Sequence, residues 1–284
     1  MKPARFEYVA VDTADEAVAL LAEHGRDAVL LAGGQSLVPM MNMRMARPAV
    51  VIDLNGVHEL DTIELDSALT IGALTRQARA GAAPEVAGAA PIVAEAIRQI
   101  GHPAIRSRGT IGGNVAHADA SSELPTVLVA LGGEMVARGP AGVRTIPAAD
   151  FFVTHFTTAL DGELLTHVRV PRAEVGVHTA FLEVARRHGD FALVGTAVRL
   201  RLDGDGVCTE ARFALSGVAG APFRVERAEE ALVGRRPDEA ALADVARLVS
   251  DQVSPTSDVH ATAAYRKRVA GVIVRRAIEQ AVAR

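Results

Sequence analysis

Ala28-Val29-Leu30-Leu31-Ala32-Gly33-Gly34-Gln35-Ser36-Leu37-Val38-Pro39 runs a short apolar strand into paired glycines and a hydroxyl, followed by the start of a helix. A diphosphate needs several backbone N–H groups aimed at one spot, and glycine lets the backbone approach it closely. Gly33 and Gly34 permit positive φ, Ser36 adds a donor, and a helix N-terminus beyond the loop favours an anion. A ligand-free strand-to-helix turn accounts for the same residues equally well, because paired glycines are common in turns.

Outward from this loop the pattern is mixed. Residues 6–11 read as a strand, and Thr13 caps a helix over 14–24, with Glu16 completing a capping box and Gly25 as the stop. Residues 36–45 form a short helix or turn shaped by Pro39. Residues 50–53 are a strand, and Asn55-Gly56 is a turn signal. This β-α-β opening implies an α/β or α+β unit rather than a bundle.

Further on, 62–65 and 68–71 resemble paired strands, Thr75 is placed to cap a helix, and 81–88 reads as a loop or weak helix. A helix over 92–97 runs into the Gly101-His102-Pro103 break. Residues 124–131 form an apolar helix, and 134–136, 142–146 and 163–170 are strands ended by Pro171. Residues 192–202 and 206–215 flank Asp203-Gly204-Asp205-Gly206 as a hairpin. Two helices close the chain, over about 238–250 and from 261 onward. The second places Val269, Val272 and Ile273 on one face and Arg266, Arg268 and Arg275 largely off it. The expected division is 1–175, with subdomains of about 1–55 and 56–175, followed by a smaller domain over 176–284.

A second stretch, Arg108-Gly109-Thr110-Ile111-Gly112-Gly113-Asn114, offers another row of amides, with Thr110 and Asn114 as side-chain donors. Ser121-Ser122-Glu123 lies just beyond. Glu123 suits either the hydroxyls of a sugar alcohol or the amides at the start of the next helix. Neither glycine stretch is G-x-G-x-x-G, and neither ends in G-K-[ST]. Ser36 lacks the second glycine of a nucleophile elbow. The 203–206 turn lacks the alternating ligands and distal glutamate of a calcium loop. The nine histidines show no metal spacing, and solvent-facing or capping roles are the default for His102, His117 and His188. No general acid–base pair stands out.

Composition narrows the classes. Cys208 is the single cysteine, which excludes an internal disulfide and leaves no thiolate set for an iron–sulfur cluster or structural zinc. A net charge of -4 provides no basic field for nucleic acid. The start of the chain lacks the apolar core of a signal peptide, and no apolar stretch is long enough to form a transmembrane segment. The expected location is the cytoplasm, including the inner face of its membrane.

The order of these motifs resembles the medium, FAD-binding subunit of the molybdenum hydroxylases, the carbon monoxide and xanthine dehydrogenase family. Residues 31–39, Arg44 to Pro48 and Ile52-Asp53-Leu54-Asn55 carry it first. It continues through Ile100-Gly101-His102-Pro103-Ala104-Ile105-Arg106, 109–114 and Glu123-Leu124-Pro125, then Ala185-Arg186-Arg187 with Asp190-Phe191-Ala192, and ends at Tyr265-Arg266. Essentially the whole chain is covered.

The resemblance implies an α+β protein: a vanillyl-alcohol-oxidase-like FAD-binding domain, then a smaller C-terminal α+β domain with an antiparallel sheet and helices. It implies that Leu31, Ala32, Gly33, Gly34, Gln35, Ser36 and Leu37 bind the diphosphate together with Thr110, Ile111, Gly112, Gly113 and Asn114. Ser122 and Glu123 would contact the ribityl or ribose region. Ile100, Gly101, His102 and Leu164 would line the flavin, with Arg187 nearby and Phe191 shielding the ring. One departure stands out: a lysine near the flavin in the xanthine dehydrogenase branch falls at Leu182, which is apolar here.

The resemblance also implies partners. A large molybdopterin subunit would oxidise the substrate, and a small [2Fe–2S] subunit would feed electrons to this FAD, in a dimer of heterotrimers. A lone cysteine agrees that the clusters belong to another chain. The alternatives are a self-contained flavin oxidoreductase of the same fold, for which no acid, base or nucleophile is apparent, and a scaffold protein without flavin.

Overall fold

In the computed structural model, which describes residues 2–284, the chain opens with β1 (Glu7–Ala10), α1 (Ala14–His24), β2 (Ala28–Leu31), α2 (Leu37–Asn42) and β3 (Val50–Asp53). The strands form a parallel sheet in the order β1-β3-β2. The central position of β3 explains why Val50, Val51 and Ile52 are all buried. The α1 start is built as its residues suggest: Thr13 Oγ1 accepts from the Glu16 amide at 3.2 Å. The Glu16 carboxylate accepts from the Asp12 amide at 2.9 Å, one residue earlier than in a standard capping box. Gly25 ends the helix at φ +53°.

The middle of the chain comprises β4 (Ile63–Leu65), β5 (Ala68–Gly72), α3 (Gln77–Ala82), α4 (Pro84–Ala89), α5 (Pro91–Gln99), α6 (Pro103–Arg106), α7 (Ile111–His117) and α8 (Glu123–Leu131). It continues with β6 (Glu134–Gly139), β7 (Gly142–Pro147), α9 (Ala148–Phe151), β8 (Phe152–Thr154), β9 (Thr157–Thr158) and β10 (Leu164–Pro171). Five strands form an antiparallel sheet in the order β4-β5-β10-β6-β7, and β8 pairs with β9 separately. Thr75 does not cap α3. It is buried two residues ahead of that helix, and its hydroxyl donates to the Thr62 carbonyl at 2.9 Å. The small residues at 81–88 do form helix, because Pro84 starts α4 where no amide is needed. Every residue of α8 is buried, as expected of a helix apolar on all sides.

The last third holds β11 (Val177–Val184), β12 (Val194–Leu202), β13 (Cys208–Ser216), β14 (Phe223–Arg224), α10 (Glu226–Leu232), α11 (Glu239–Gln252) and α12 (Ala263–Val282). These four strands make an antiparallel sheet in sequence order. One face packs on α10, α11 and α12, and Phe181, Ala197 and Ala214 on the other join the core around α5 and α8. The β12–β13 turn is an aspartate-closed turn, in which Asp203 Oδ1 accepts from the Asp205 and Val207 amides, each at 2.9 Å.

Two expectations for α12 fail. Val272 is 44% exposed, and Arg266 is buried at 6%. Arg266 points inward because backbone carbonyls wait there: its guanidinium donates to Leu193 O and to Gly217 O, and pairs with Asp258 at 2.6 Å.

Candidate cofactor-binding site

The loop between β2 and α2 presents a run of unused donors. Among the described residues, the amides of Gly33, Gly34, Gln35, Ser36 and Leu37 find no acceptor. The first amide engaged is that of Val38, which donates to Gly34 O at 3.1 Å. Gly34 takes φ +71°, and Gln35 Nε2 donates to Gly33 O at 3.0 Å, which tightens the loop. The Ser36 hydroxyl does not cap α2. Five successive N–H groups left without a protein acceptor after a strand are the kind of donor set an anion can use.

The second glycine stretch works differently from the row of amides its sequence suggests. Ile111 N donates to Thr75 O, Gly112 N to Ala73 O, and Asn114 N to Thr110 O, at 2.9, 2.8 and 3.2 Å. Thr110 is the N-cap of α7 and accepts from the Gly113 amide at 3.0 Å. Its own hydroxyl proton remains available to donate. Asn114 Oδ1 accepts from the Ser122 hydroxyl at 2.9 Å, which leaves the amide NH2 of Asn114 as a donor. This stretch therefore contributes close approach and side chains, while the first loop contributes amides.

The two stretches touch. A Cβ on Gly33 would lie 2.3 Å from Arg108 O and 2.8 Å from Gly109 Cα. A Cβ on Gly113 would lie 3.7 Å from Ala32 Cβ. Tertiary structure thus brings residues about 80 positions apart into contact.

Glu123 opens α8 and is 6% exposed. Burial and then the neighbouring Glu183 carboxylate push its pKa up to about 8, against smaller opposing effects of its own amide and the Ser122 hydroxyl. Glu183 on β11 is pushed up to about 7 by burial. Its Oε2 has no partner among the described residues. The folded chain therefore holds these protons at pH values where the unfolded chain has released them. Their contribution to stability is full below the usual pKa of 4.5 and is lost as pH rises through about 7 and 8. Glu123→Gln should flatten this decline by at most about 1.4 kcal/mol per pH unit, as read from urea unfolding of the cofactor-free chain at about pH 6 and about pH 8.5. An unchanged slope would mean that the Glu123 carboxyl is well solvated.

The remaining expected residues separate into two groups. Gly101 takes φ +47°, and its carbonyl accepts from Arg106 at 3.0 Å, as does that of Ile100 at 2.8 Å. A Cβ on Gly189 would lie 2.6 Å from the His102 ring, so the segment carrying Arg187 and Phe191 sits against His102. Phe191 is 71% exposed beside this junction. Leu164 is buried and packs in the apolar cluster with Ile52, Leu54, Leu60 and Leu74. Leu182 packs against the C-terminal core.

Sequence reasoning missed Arg76 and Glu183, and gave Asn55 only a turn. Asn55 Nδ2 donates to Ala32 O at 3.1 Å, and Arg76 donates to Asn55 Oδ1 at 2.6 Å and to Arg108 O. Only the Asp53-Leu54-Asn55 run at the end of β3 hinted at such a role. Cys208 is buried, and its thiol is pushed up to about 11 by burial. Among the described residues, no group of three or more His, Cys, Asp or Glu side chains is placed to hold a metal ion, and no helix is long and apolar enough to cross a membrane.

Known proteins resemble the chain over its whole length. The family described as "FAD binding domain in molybdopterin dehydrogenase" matches residues 4–173, and "CO dehydrogenase flavoprotein C-terminal domain" matches 179–281. The 6-hydroxypseudooxynicotine dehydrogenase complex subunit alpha of Paenarthrobacter nicotinovorans is 41% identical, over 100% of this chain and 97% of its own length. The carbon monoxide dehydrogenase medium chain of Hydrogenophaga pseudoflava is 39% identical, over 100% and 99%. A solved carbon monoxide dehydrogenase from the same organism, lacking the Mo-pyranopterin moiety of its cofactor, superposes with a TM-score of 0.97 at 40% identity, covering 100% of this chain and 99% of that one. The open amide row and the two stretches in contact fit a dinucleotide's diphosphate. The chain belongs to the FAD-binding medium-subunit family of the molybdenum hydroxylases, and is an oxidoreductase subunit with FAD as its own cofactor.

Proposed function

We propose that this chain is the electron outlet of a three-subunit dehydrogenase. Substrate oxidation takes place on a large molybdopterin subunit, electrons arrive singly from a small [2Fe–2S] subunit, and FAD held here hands them to an external acceptor. The observation that carries the site assignment is the run of five free amides from Gly33 to Leu37, which suits the diphosphate. Thr110 and Asn114 add side-chain donors on its other side, and Ser122 and Glu123 lie beyond Asn114 toward the ribityl or ribose region. The flavin ring is assigned to the junction of Ile100-Gly101-His102 with the segment of Arg187 and Phe191, which keeps one edge open to partners. The flavin supplies reversible one- and two-electron chemistry, while the protein binds and orients it.

Several features support the division of labour. Cys208 is the single cysteine of the chain and is buried, so it ligates no cluster. The relatives are named as a subunit of a complex and as a medium chain. We assign 1–175, with subdomains of about 1–55 and 56–175, to FAD binding, and 176–284 to the C-terminal domain. The assembly is a dimer of heterotrimers in the cytoplasm. Purification from the native source is expected to yield a yellow complex with about one FAD per copy of this chain, a cysteine-rich small chain and a long molybdopterin chain. Isolation as a single polypeptide, or without a flavin absorbance, would sink the proposal.

A further inference from the structure

The cradle is made of two pieces that the chain joins only at a distance, and something must hold their spacing. The loop at Gly33 belongs to the β1-β3-β2 unit, and the Arg108–Asn114 stretch belongs to the middle unit. Backbone contact at Gly33 prevents the two from closing further. It does nothing to stop them from separating.

We infer that Asn55 and Arg76 form a clamp that sets the width of the diphosphate cradle. The inference rests on the assignment of the two glycine stretches to the diphosphate. Asn55, in the turn after β3, donates to Ala32 O at 3.1 Å, which ties it to the first loop. Arg76, just before α3, donates to Arg108 O, the same carbonyl that a Cβ on Gly33 would strike. The two side chains close on each other, with Arg76 Nη2 donating to Asn55 Oδ1 at 2.6 Å. One guanidinium therefore links both halves through a charge-assisted bond to each side.

The clamp is anchored from behind. Asp53 Oδ1 accepts from the Asn55 amide at 2.9 Å and from Asn55 Nδ2, and Asp53 Oδ2 accepts from the Tyr8 hydroxyl. Burial raises the Asp53 pKa, but the bonds from Tyr8 and Asn55 and the Arg76 charge outweigh it, so the carboxyl titrates below its usual value and stays ionised. Around Arg76 the backbone is also held: residue 76 bridges Thr110, and Gln77 N donates to Gly109 O at 2.8 Å. Those backbone bonds survive substitution of the Arg76 side chain, which confines the effect of a variant to the spacing of the loops. Asn55 and Arg76 are positioning residues; the amides and hydroxyls in front of them make the contacts with FAD.

The test uses the deflavinated full-length chain, with FAD and riboflavin binding followed by flavin fluorescence and ADP as a competitor. Arg76→Gln should weaken FAD and ADP binding together by about 10- to 100-fold, the range for loss of charge-assisted hydrogen bonds. Riboflavin has no phosphate, so its affinity should stay within about twofold of the parent. Arg76→Lys should recover part of the loss, because one ammonium reaches fewer acceptors than a planar guanidinium. Should Arg76→Gln fail to fold, Asn55→Ala opens the other half of the clamp and should show the same split between FAD and riboflavin. Equal losses for FAD and riboflavin would reduce Arg76 to a structural support and overturn the clamp. Unchanged FAD affinity in Arg76→Gln alongside a loss in Gly33→Ala overturns the clamp alone; unchanged affinity in both overturns the assignment of the loops as well.

Discussion

Gly33→Ala should give a folded chain that is colourless. The added methyl would sit 2.3 Å from Arg108 O and 2.8 Å from Gly109 Cα. Both obstacles are backbone, so no side-chain rotation relieves the clash, and the two halves of the cradle must move apart by about 1 Å to restore ordinary contact. Donors assigned to the diphosphate then fall out of reach, since hydrogen bonds weaken steeply beyond normal length. A loss of FAD affinity of at least about 100-fold is expected, equivalent to about 2.7 kcal/mol. Far-UV circular dichroism should be unchanged, because the clash lies between loops outside the cores of the sheets.

Gly34→Ala is the informative contrast. Gly34 needs φ +71°, but its Cβ would meet only the side-chain atoms of Val38 and Leu31, at 3.1 and 3.3 Å. The left-handed backbone costs an alanine about 1–2 kcal/mol, with no need for the loops to separate. Gly34→Ala should therefore retain more flavin than Gly33→Ala. A yellow Gly33→Ala chain with stoichiometric FAD would remove the first loop from the site.

Arg266→Ala should strongly destabilise the C-terminal part of the chain. The side chain is 6% exposed and serves Leu193 O, Gly217 O and the Asp258 carboxylate. Truncation leaves two carbonyls without their donor in a site too enclosed for bulk water. Each unsatisfied group costs about 1–3 kcal/mol, so a loss of about 3–5 kcal/mol is expected from the urea midpoint of the full-length chain. Leu193 follows Phe191 by two residues, and Gly217 follows β13. Release of Leu193 should therefore also loosen the segment assigned to the flavin ring, seen as faster hydrogen exchange there. A loss below about 1 kcal/mol would show that water replaces the guanidinium without penalty.

Arg266 also shows where sequence patterning loses its reach. Amphipathic spacing put it off the apolar face of α12, and that logic is sound for a charged residue next to water. It fails here because the deciding partners, Leu193 O and Gly217 O, lie 73 and 49 residues away. Thr75 fails for the same kind of reason: a helix-capping hydroxyl locally, it turns instead to Thr62 O across the β4–β5 hairpin. The Thr13 cap succeeds because its partner is three residues away. Strands β2 and β3, helices α1, α5 and α8, and the β12–β13 hairpin were legible because period and turn chemistry are local.

The opening stretch behaves in the same way. Its own residues establish a strand, a glycine turn and a helix start, while the fold shows that five of its amides find no acceptor. The order of motifs along the whole chain identifies the FAD-binding medium-subunit family, and a single cysteine excludes clusters from this chain. Tertiary structure alone decided that the second glycine stretch spends its amides on Thr75, Ala73 and Thr110, and that Gly33 rests on Arg108. It alone placed Glu123 beside Glu183 and tied the loops through Asn55 and Arg76. The physical reason is range. Backbone propensity and turn geometry act over a few residues, whereas a hydrogen bond or a buried charge is settled by whichever group the fold brings within reach.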